Sequence, residues 1–333
     1  MIRFSFFPWL AALAAIAPAQ DQATTLLACS KQANVVVRAT VLGASDPNPE
    51  WHRLHFRADE VLKGNVAAEF VLLEPAGACC GRSLFAMTTG DRCLLFLRTT
   101  GSTLHPFGGS RGVLADEAPV VAHVRALLAA LGNGDAAVAA VLANDLRSSE
   151  PRIANDAAHA LAVLPTLPLA ATDRANVATA LAAAVDAGST TAASLVDVAV
   201  RLGDDTTLGT LTATYLGTPR DDQGRLLRRG LARCSAESVL AIVPNAAGTD
   251  EARQLRAAEL LAALPIDRTQ LALRLMITSS PSARVKLRAT QALLEAGAPA
   301  ADFESDVPPA VLDLAERRRD EMKKFRSIRP AKT

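Results

Sequence analysis

The spacing of apolar positions along the chain changes once, near residue 118. Before that point the period is two. "ANVVVRATVLG" (33–43) is a β-branched run. "WHRLHFRADEVLKG" (51–64) alternates, with Leu54, Phe56 and Ala58 on one face and Arg53, His55 and Arg57 on the other. Alternation of this kind predicts a half-buried strand, because successive side chains leave opposite faces of an extended backbone. "AEFVLLEP" (68–75) and "RCLLFLRTT" (92–100) are further short apolar runs. "TLHPFGGSRG" (103–112) is turn-rich, with a short strand at its start. Turn residues divide the runs at Asp46 to Pro49, Lys63–Gly64, Gly77, Gly81 and Gly90–Asp91. Short strands at this spacing predict a small antiparallel barrel or sandwich.

From Pro119 the period becomes 3.6. Helical runs follow with breaks expected at Gly132–Gly134, Glu150–Pro151, Pro165–Pro168, Gly188, Gly203, Pro219, Pro244–Gly248, Pro265, Pro281 and Gly297. Asp135, Thr172 and Asp250 are the start signals. In "TDEARQLRAAELLAALP" (249–265), Leu255, Ala258, Leu261 and Leu264 share a face that Glu251, Arg253 and Glu259 avoid. "DDTTLGTLTATYLG" (204–217) is a weak helix, since its threonines and Gly209 lower propensity.

The helices also pair. "EPRIANDAAHALAVLP" (150–165), "TDEARQLRAAELLAALP" and "SPSARVKLRATQALLEAG" (280–297) look alike, and pairs recur at the length of one helical hairpin that must stack on neighbours. The region 135–297 resembles HEAT repeats, whose second helix carries a proline or aspartate and then R-x-x-A-x-x-A-L. Arg256, Ala257 and Leu260–Leu261 match that pattern, as do Arg288, Ala289, Ala292 and Leu293; the units around 172–234 fit it poorly. Beyond residue 118 the only aromatic residues are Tyr215, Phe303 and Phe325, so this half needs a core of leucine, valine and alanine.

The amino terminus adds a compartment. "MIRFSFFPWLAALAAIAPAQDQ" has one early cation, a short apolar run and an A-x-A site, which predicts a secretory leader over 1–19 with Gln20 first in the mature chain. The run is too short to span a bilayer, and "LLAC" (26–29) only loosely resembles a lipoprotein box. Twenty-nine arginines against six lysines, with abundant alanine, suit a GC-rich bacterial genome. The net charge of +1 argues against general attraction to nucleic acid.

Export makes oxidation the default for Cys29, Cys79, Cys80 and Cys93, four cysteines within the first 93 residues. In extended backbone the adjacent Cys79 and Cys80 point to opposite faces, which suits two separate bridges to Cys29 and Cys93. A vicinal bridge and a thiol or metal site are the alternatives. Cys234, in step with Leu227 and Leu231, is expected in a helix seam.

Candidate chemistry is sparse. His52 and His55 face opposite ways on one strand, and His123 and His159 lie among alanines and leucines. No H-E-x-x-H or C-x-x-C occurs. "GGSRG" (108–112) lacks the lysine and the strand–loop–helix setting of a phosphate loop and is read as a turn. No cofactor and no metal site is expected. The segment 315–333 has eight basic and three acidic residues; Arg317, Arg318, Arg319, Lys323, Lys324 and Arg326 are candidates for contact with an anionic partner.

In the β region, Cys29, the 33–43 strand, "VLKG" (61–64) and "GDRCLLFL" (90–97) around Cys93 resemble the netrin-like modules of tissue-inhibitor-of-metalloproteinase type. The resemblance implies a secreted OB-type barrel with a general binding role. Metalloprotease inhibition does not carry over. Cys29 is followed by Ser30 and preceded by about nine residues of the mature chain, whereas the inhibitors begin C-x-C.

The expected fold class is therefore α+β in two domains: an OB-like barrel (28–115), then an all-α HEAT-like solenoid (119–314) with a basic end (315–333). The expected function is that of a non-catalytic, exported, periplasmic or extracellular binding protein with an envelope-associated protein partner, no nucleic acid and no membrane span in the mature chain. The alternatives are an envelope hydrolase or metal enzyme using His52, His105 and barrel carboxylates, and a protease-inhibitor-like module.

Overall fold

A computed structural model of the protein describes residues 25–48, 51–75, 87–101, 103–218 and 221–328. The expected leader (1–19) and the Cys79–Cys80 pair lie outside these residues. The chain divides into two compact units with a boundary between Val138 and Ala139.

The first unit is a curled antiparallel sheet with two helices. A short helix, α1 (Leu26–Gln32), precedes β1 (Val35–Asn48), β2 (Trp51–Lys63), β3 (Glu69–Pro75), β4 (Arg92–Thr100), β5 (Thr103–Pro106) and β6 (Val113–Ala115), and α2 (Ala118–Leu131) follows. The strand order is β3-β2-β1-β4-β5, with β6 also on β4. The pairing of β1 with β2 shifts register between Val36 and Val37, Arg38 and Ala39, and Val41 and Gly43. Each irregularity bends a strand and raises its twist, so the sheet becomes a half-barrel. Its edge strands β3 and β5 come within 8 Å Cα to Cα.

The alternating strand pattern holds. Leu54 and Phe56 of β2 are buried with Val35, Val37, Ala39 and Val41 of β1 and with Cys93, Leu95 and Leu97 of β4. Phe56 stacks on Phe70 of β3 at 5.4 Å between ring centroids. In β4 the intervening Leu94 and Phe96 are buried as well. A strand buried on both faces reads as a continuous apolar run, as "CLLFL" does. The α1 helix packs on β4 and α2, and α2 on β2.

The "VLKG" ending of β2 has a local cause. Lys63 Nζ donates to the Ser30 and Lys31 carbonyls, at 2.8 and 3.2 Å, capping the carbonyl end of α1 with a cation. Gly64 follows at φ +75°, where a Cβ would run into the Asn34 carbonyl. "GGSRG" forms a 3-10 turn over Gly109–Gly112, as expected of a turn.

Beyond α3 (Asp135–Asp145), the second unit is helical. It comprises α4 (Pro151–Val163), α5 (Ala171–Ala187), α6 (Ala192–Leu202), α7 (Asp205–Gly217), α8 (Asp221–Leu231), α9 (Ala236–Ala247), α10 (Glu251–Leu261), α11 (Ile266–Ser279), α12 (Ala283–Glu295) and α13 (Pro309–Ile328). Packing runs between alternate helices as well as between neighbours: α4 on α6, α5 on α7, α6 on α8, α7 on α9, α9 on α11, and α10 on α12. Leucine, valine and alanine fill the core, with Tyr215 and Phe303.

Several sequence expectations need correction. The break at Pro244–Gly248 falls later, because α9 runs through Pro244 to Ala247 and stops where Gly248 takes φ +53°. Thr172 lies inside α5, whose cap position is Ala170. Cys234 sits in the turn after α8, half-buried, its Sγ 3.6 Å from the Gly230 carbonyl. Asp250 does cap α10, accepting from the Arg253 amide at 2.8 Å. The weak segment 204–217 forms α7: Asp204 accepts from the Thr206 and Thr207 amides at 3.0 and 3.1 Å. Thr207, Leu208, Leu211, Thr212, Tyr215 and Leu216 are buried along it.

Candidate functional site

Three clusters bring polar chemistry together, and two of them are internally satisfied. On the sheet, Arg38 donates from Nε and Nη2 to the two Asp116 oxygens at 2.8 and 2.9 Å, and from Nη1 to Glu60 at 2.8 Å. Arg125 of α2 donates to both Glu60 oxygens at 2.6 Å, and Arg92 lies 3.1 Å from Asp116. The bond from Arg38 holds the Asp116 carboxyl below the usual carboxylate range. Arg125 and then Arg38 do the same for Glu60. Bidentate pairs of this kind fix strand, loop and helix together.

The second cluster is Ser194 of α6 with His159 of α4, Oγ to Nδ1 at 2.8 Å. A nucleophile–base pair needs donors aimed at a developing oxyanion. His159 lies inside α4, and Ser194 sits in the first turn of α6, three residues past the cap position Thr191. The contact is a helix-to-helix hydrogen bond.

The third cluster is open. Both α8 and α10 pack on α7, and between them lies a cleft of about 340 Å³. From α8 come Asp221, Arg225 and Arg228, which share a face at i, i+4 and i+7. From α10 come Ala252, Leu255, Arg256 and Glu259, again on one face. Tyr215 of α7 forms the floor. Its hydroxyl donates to the Arg256 carbonyl at 3.2 Å, while Arg256 Nη1 donates to the Tyr215 carbonyl at 3.0 Å. The reciprocal pair fixes Arg256 and caps the last turn of α7. Burial pushes the Tyr215 phenol up to about 12, so it stays protonated at neutral pH. Among the described residues, Arg225 and Arg228 have no ion-pair partner, whereas Arg233 and Arg284 are tied to Asp197 and Glu251 at 2.5 and 2.9 Å.

The residues singled out from the sequence are placed elsewhere. Cys29 is buried in α1. Cys93 is buried in the half-barrel, its Sγ donating to the Ala39 carbonyl at 3.5 Å. Burial pushes its thiol up to about 12. No disulfide is present among the described residues. Arg317 pairs with Asp313 at 2.6 Å and Arg319 with Asp320 at 3.3 Å, both within α13; Arg318 and Lys324 are exposed. The side chains of Lys323 and Arg326 lie outside the described residues. His52 and His105 belong to β2 and β5, and no group of three or more metal-ligating side chains occurs among the described residues. No helix among them is long and apolar enough to cross a membrane.

The cleft escaped the sequence reading. "DDQGRLLRRG" (221–230) showed basic residues at helical spacing, but its partner face on α10 lies 24 residues or more away, and nothing local announces that pairing. Comparison of the chain with protein-family models, with curated proteins and with solved structures finds no match.

Proposed function

We propose that this chain is an exported, non-catalytic binding protein that acts through protein–protein contact, with its helical half as the recognition surface. The observation that carries this reading is the cleft between α8 and α10. Its cationic groups are guanidinium, which stays protonated at any physiological pH and so binds anions without acting as an acid or base. An aromatic-walled, enclosed small-molecule chamber would be lined differently.

The finer fold reading supports the same role. The order β3-β2-β1-β4-β5, with β3 and β5 close together, suits an OB-like barrel. Stacking of alternate helices, with Arg256 and Arg288 at equivalent places in α10 and α12, suits a HEAT-like array. Repeats of this kind present extended surfaces rather than single pockets. Export to the periplasm or beyond rests on the leader pattern over 1–19.

The test is site-specific photo-crosslinking in intact cells. A benzophenone residue at the exposed, cleft-lining Ala252 is expected to give a discrete protein adduct. The same probe at exposed Thr99 of β4 serves as the control. Adducts at Ala252 no stronger than at Thr99 would overturn the proposal.

A further inference from the structure

Resting on that binding reading, we infer that the α8–α10 cleft holds an extended acidic peptide segment, with carboxylates on alternate residues meeting Arg225, Arg228 and Arg256. Three features of the cleft select this ligand class. The first is charge. Three guanidinium groups face two carboxylates, Asp221 and Glu259, a local excess of one positive charge. That excess suits carboxylates taken one at a time. A compact, doubly charged phosphate would meet Asp221 and Glu259 as repulsive neighbours.

The second feature is length. On α8 the face from Asp221 to Arg228 rises seven residues, about 10 Å at ~1.5 Å per residue. An extended peptide covers that in about three residues at ~3.3 Å each, and side chains on one of its faces recur every ~6.6 Å. Cations on opposite walls of the cleft therefore fit a strand with acidic residues at i and i+2. The third is the wall between the charges. Ala252 and Leu255 give an apolar strip for the methylenes of glutamate, and Tyr215 closes the floor.

Preorganisation differs along the site. Arg256 is held by its bond to the Tyr215 carbonyl, while Arg225 and Arg228 carry no ion pair among the described residues and are available for bidentate bonds to a carboxylate. Removing them takes no cap or internal bridge away, so the fold survives their substitution.

Fluorescence polarisation of the full mature chain with a labelled, end-blocked Glu-Ser-Glu-Ser-Glu peptide tests the inference. Binding is expected to weaken with salt and to weaken tenfold or more in the paired variant Arg225→Gln/Arg228→Gln. Arg228→Lys, which keeps the charge but loses the fork, is expected to fall between. Arg253→Gln, exposed on another face of α10, stays within twofold. Failure to bind, equal binding of a Gln-Ser-Gln-Ser-Gln peptide, or wild-type affinity in the folded paired variant overturns the inference. So does displacement of the peptide by inorganic phosphate at millimolar concentration, which would mark a small-anion site. If the peptide fails while Ala252 still crosslinks to a partner, the binding function stands and only the ligand class falls.

Discussion

At the scale of single residues, glycine and arginine do more here than composition suggests. Gly230 lies in α8 against Val196 of α6, and a Cβ at 230 would overlap the Val196 Cγ1 atom. Val196 is buried, and a β-branched side chain in a helix has one strongly preferred rotamer, so it has no easy retreat. Alanine would gain ~1 kcal/mol of helix propensity, but overpacking costs about 1–3 kcal/mol. Gly230→Ala is therefore expected to lower the urea midpoint, and adding Val196→Ala to recover part of the loss. A raised midpoint in the single variant would show that α6 and α8 are not so close. Arginine, meanwhile, closes helix ends: Arg201 donates to the Leu161, Ala162 and Leu164 carbonyls at the end of α4, as Arg256 does for α7. The motif arginine that resembles a repeat signature thus has a physical task in this chain.

Among elements, the Arg38–Asp116–Glu60–Arg125 cluster joins β1, β2 and α2. The Asp116 side chain is 5% exposed and Arg38 23%, so loss of one partner leaves a half-buried charge. Asp116→Asn is expected to cost about 1–3 kcal/mol at neutral pH. The pH dependence has a definite sign. Because the folded pKa of Asp116 is depressed, its contribution is complete above the unfolded value of about 4 and is lost as pH falls through the folded one. Urea titrations between about pH 5 and pH 2 should show the wild type losing more stability than Asp116→Asn, with the two curves converging. Parallel curves would remove the carboxylate from the acid-side response. The α7 helix shows the same scale from another side: its threonines and Gly209 disfavour it locally, yet five neighbouring helices (α5, α6, α8, α9 and α10) bury its apolar stripe, and that tertiary gain outweighs propensity.

For the whole molecule, the proposed export predicts that the chain made with its own first residues in a bacterial host loses 1–19. Intact-mass measurement should then give a mature protein starting at Gln20, and retention of the leader would count against an envelope location. The sequence by itself determined the change from strands to helices near residue 118, the inward face of β2, and the leucine–alanine core. Those follow from periodicity, which is local: a side chain's face is fixed by its own backbone. The α1 helix and β6 were not legible, since seven and three residues carry too little period to read. Only the tertiary structure decided the curl of the sheet, the α1 cap at Lys63, and the meeting of Arg225 and Arg228 with Arg256. Each joins residues far apart in the chain, and such contacts depend on how elements pack, which no local pattern encodes. The cleft exists because α8 and α10 both rest on α7, and that packing is where a binding site could arise from three individually unremarkable arginines.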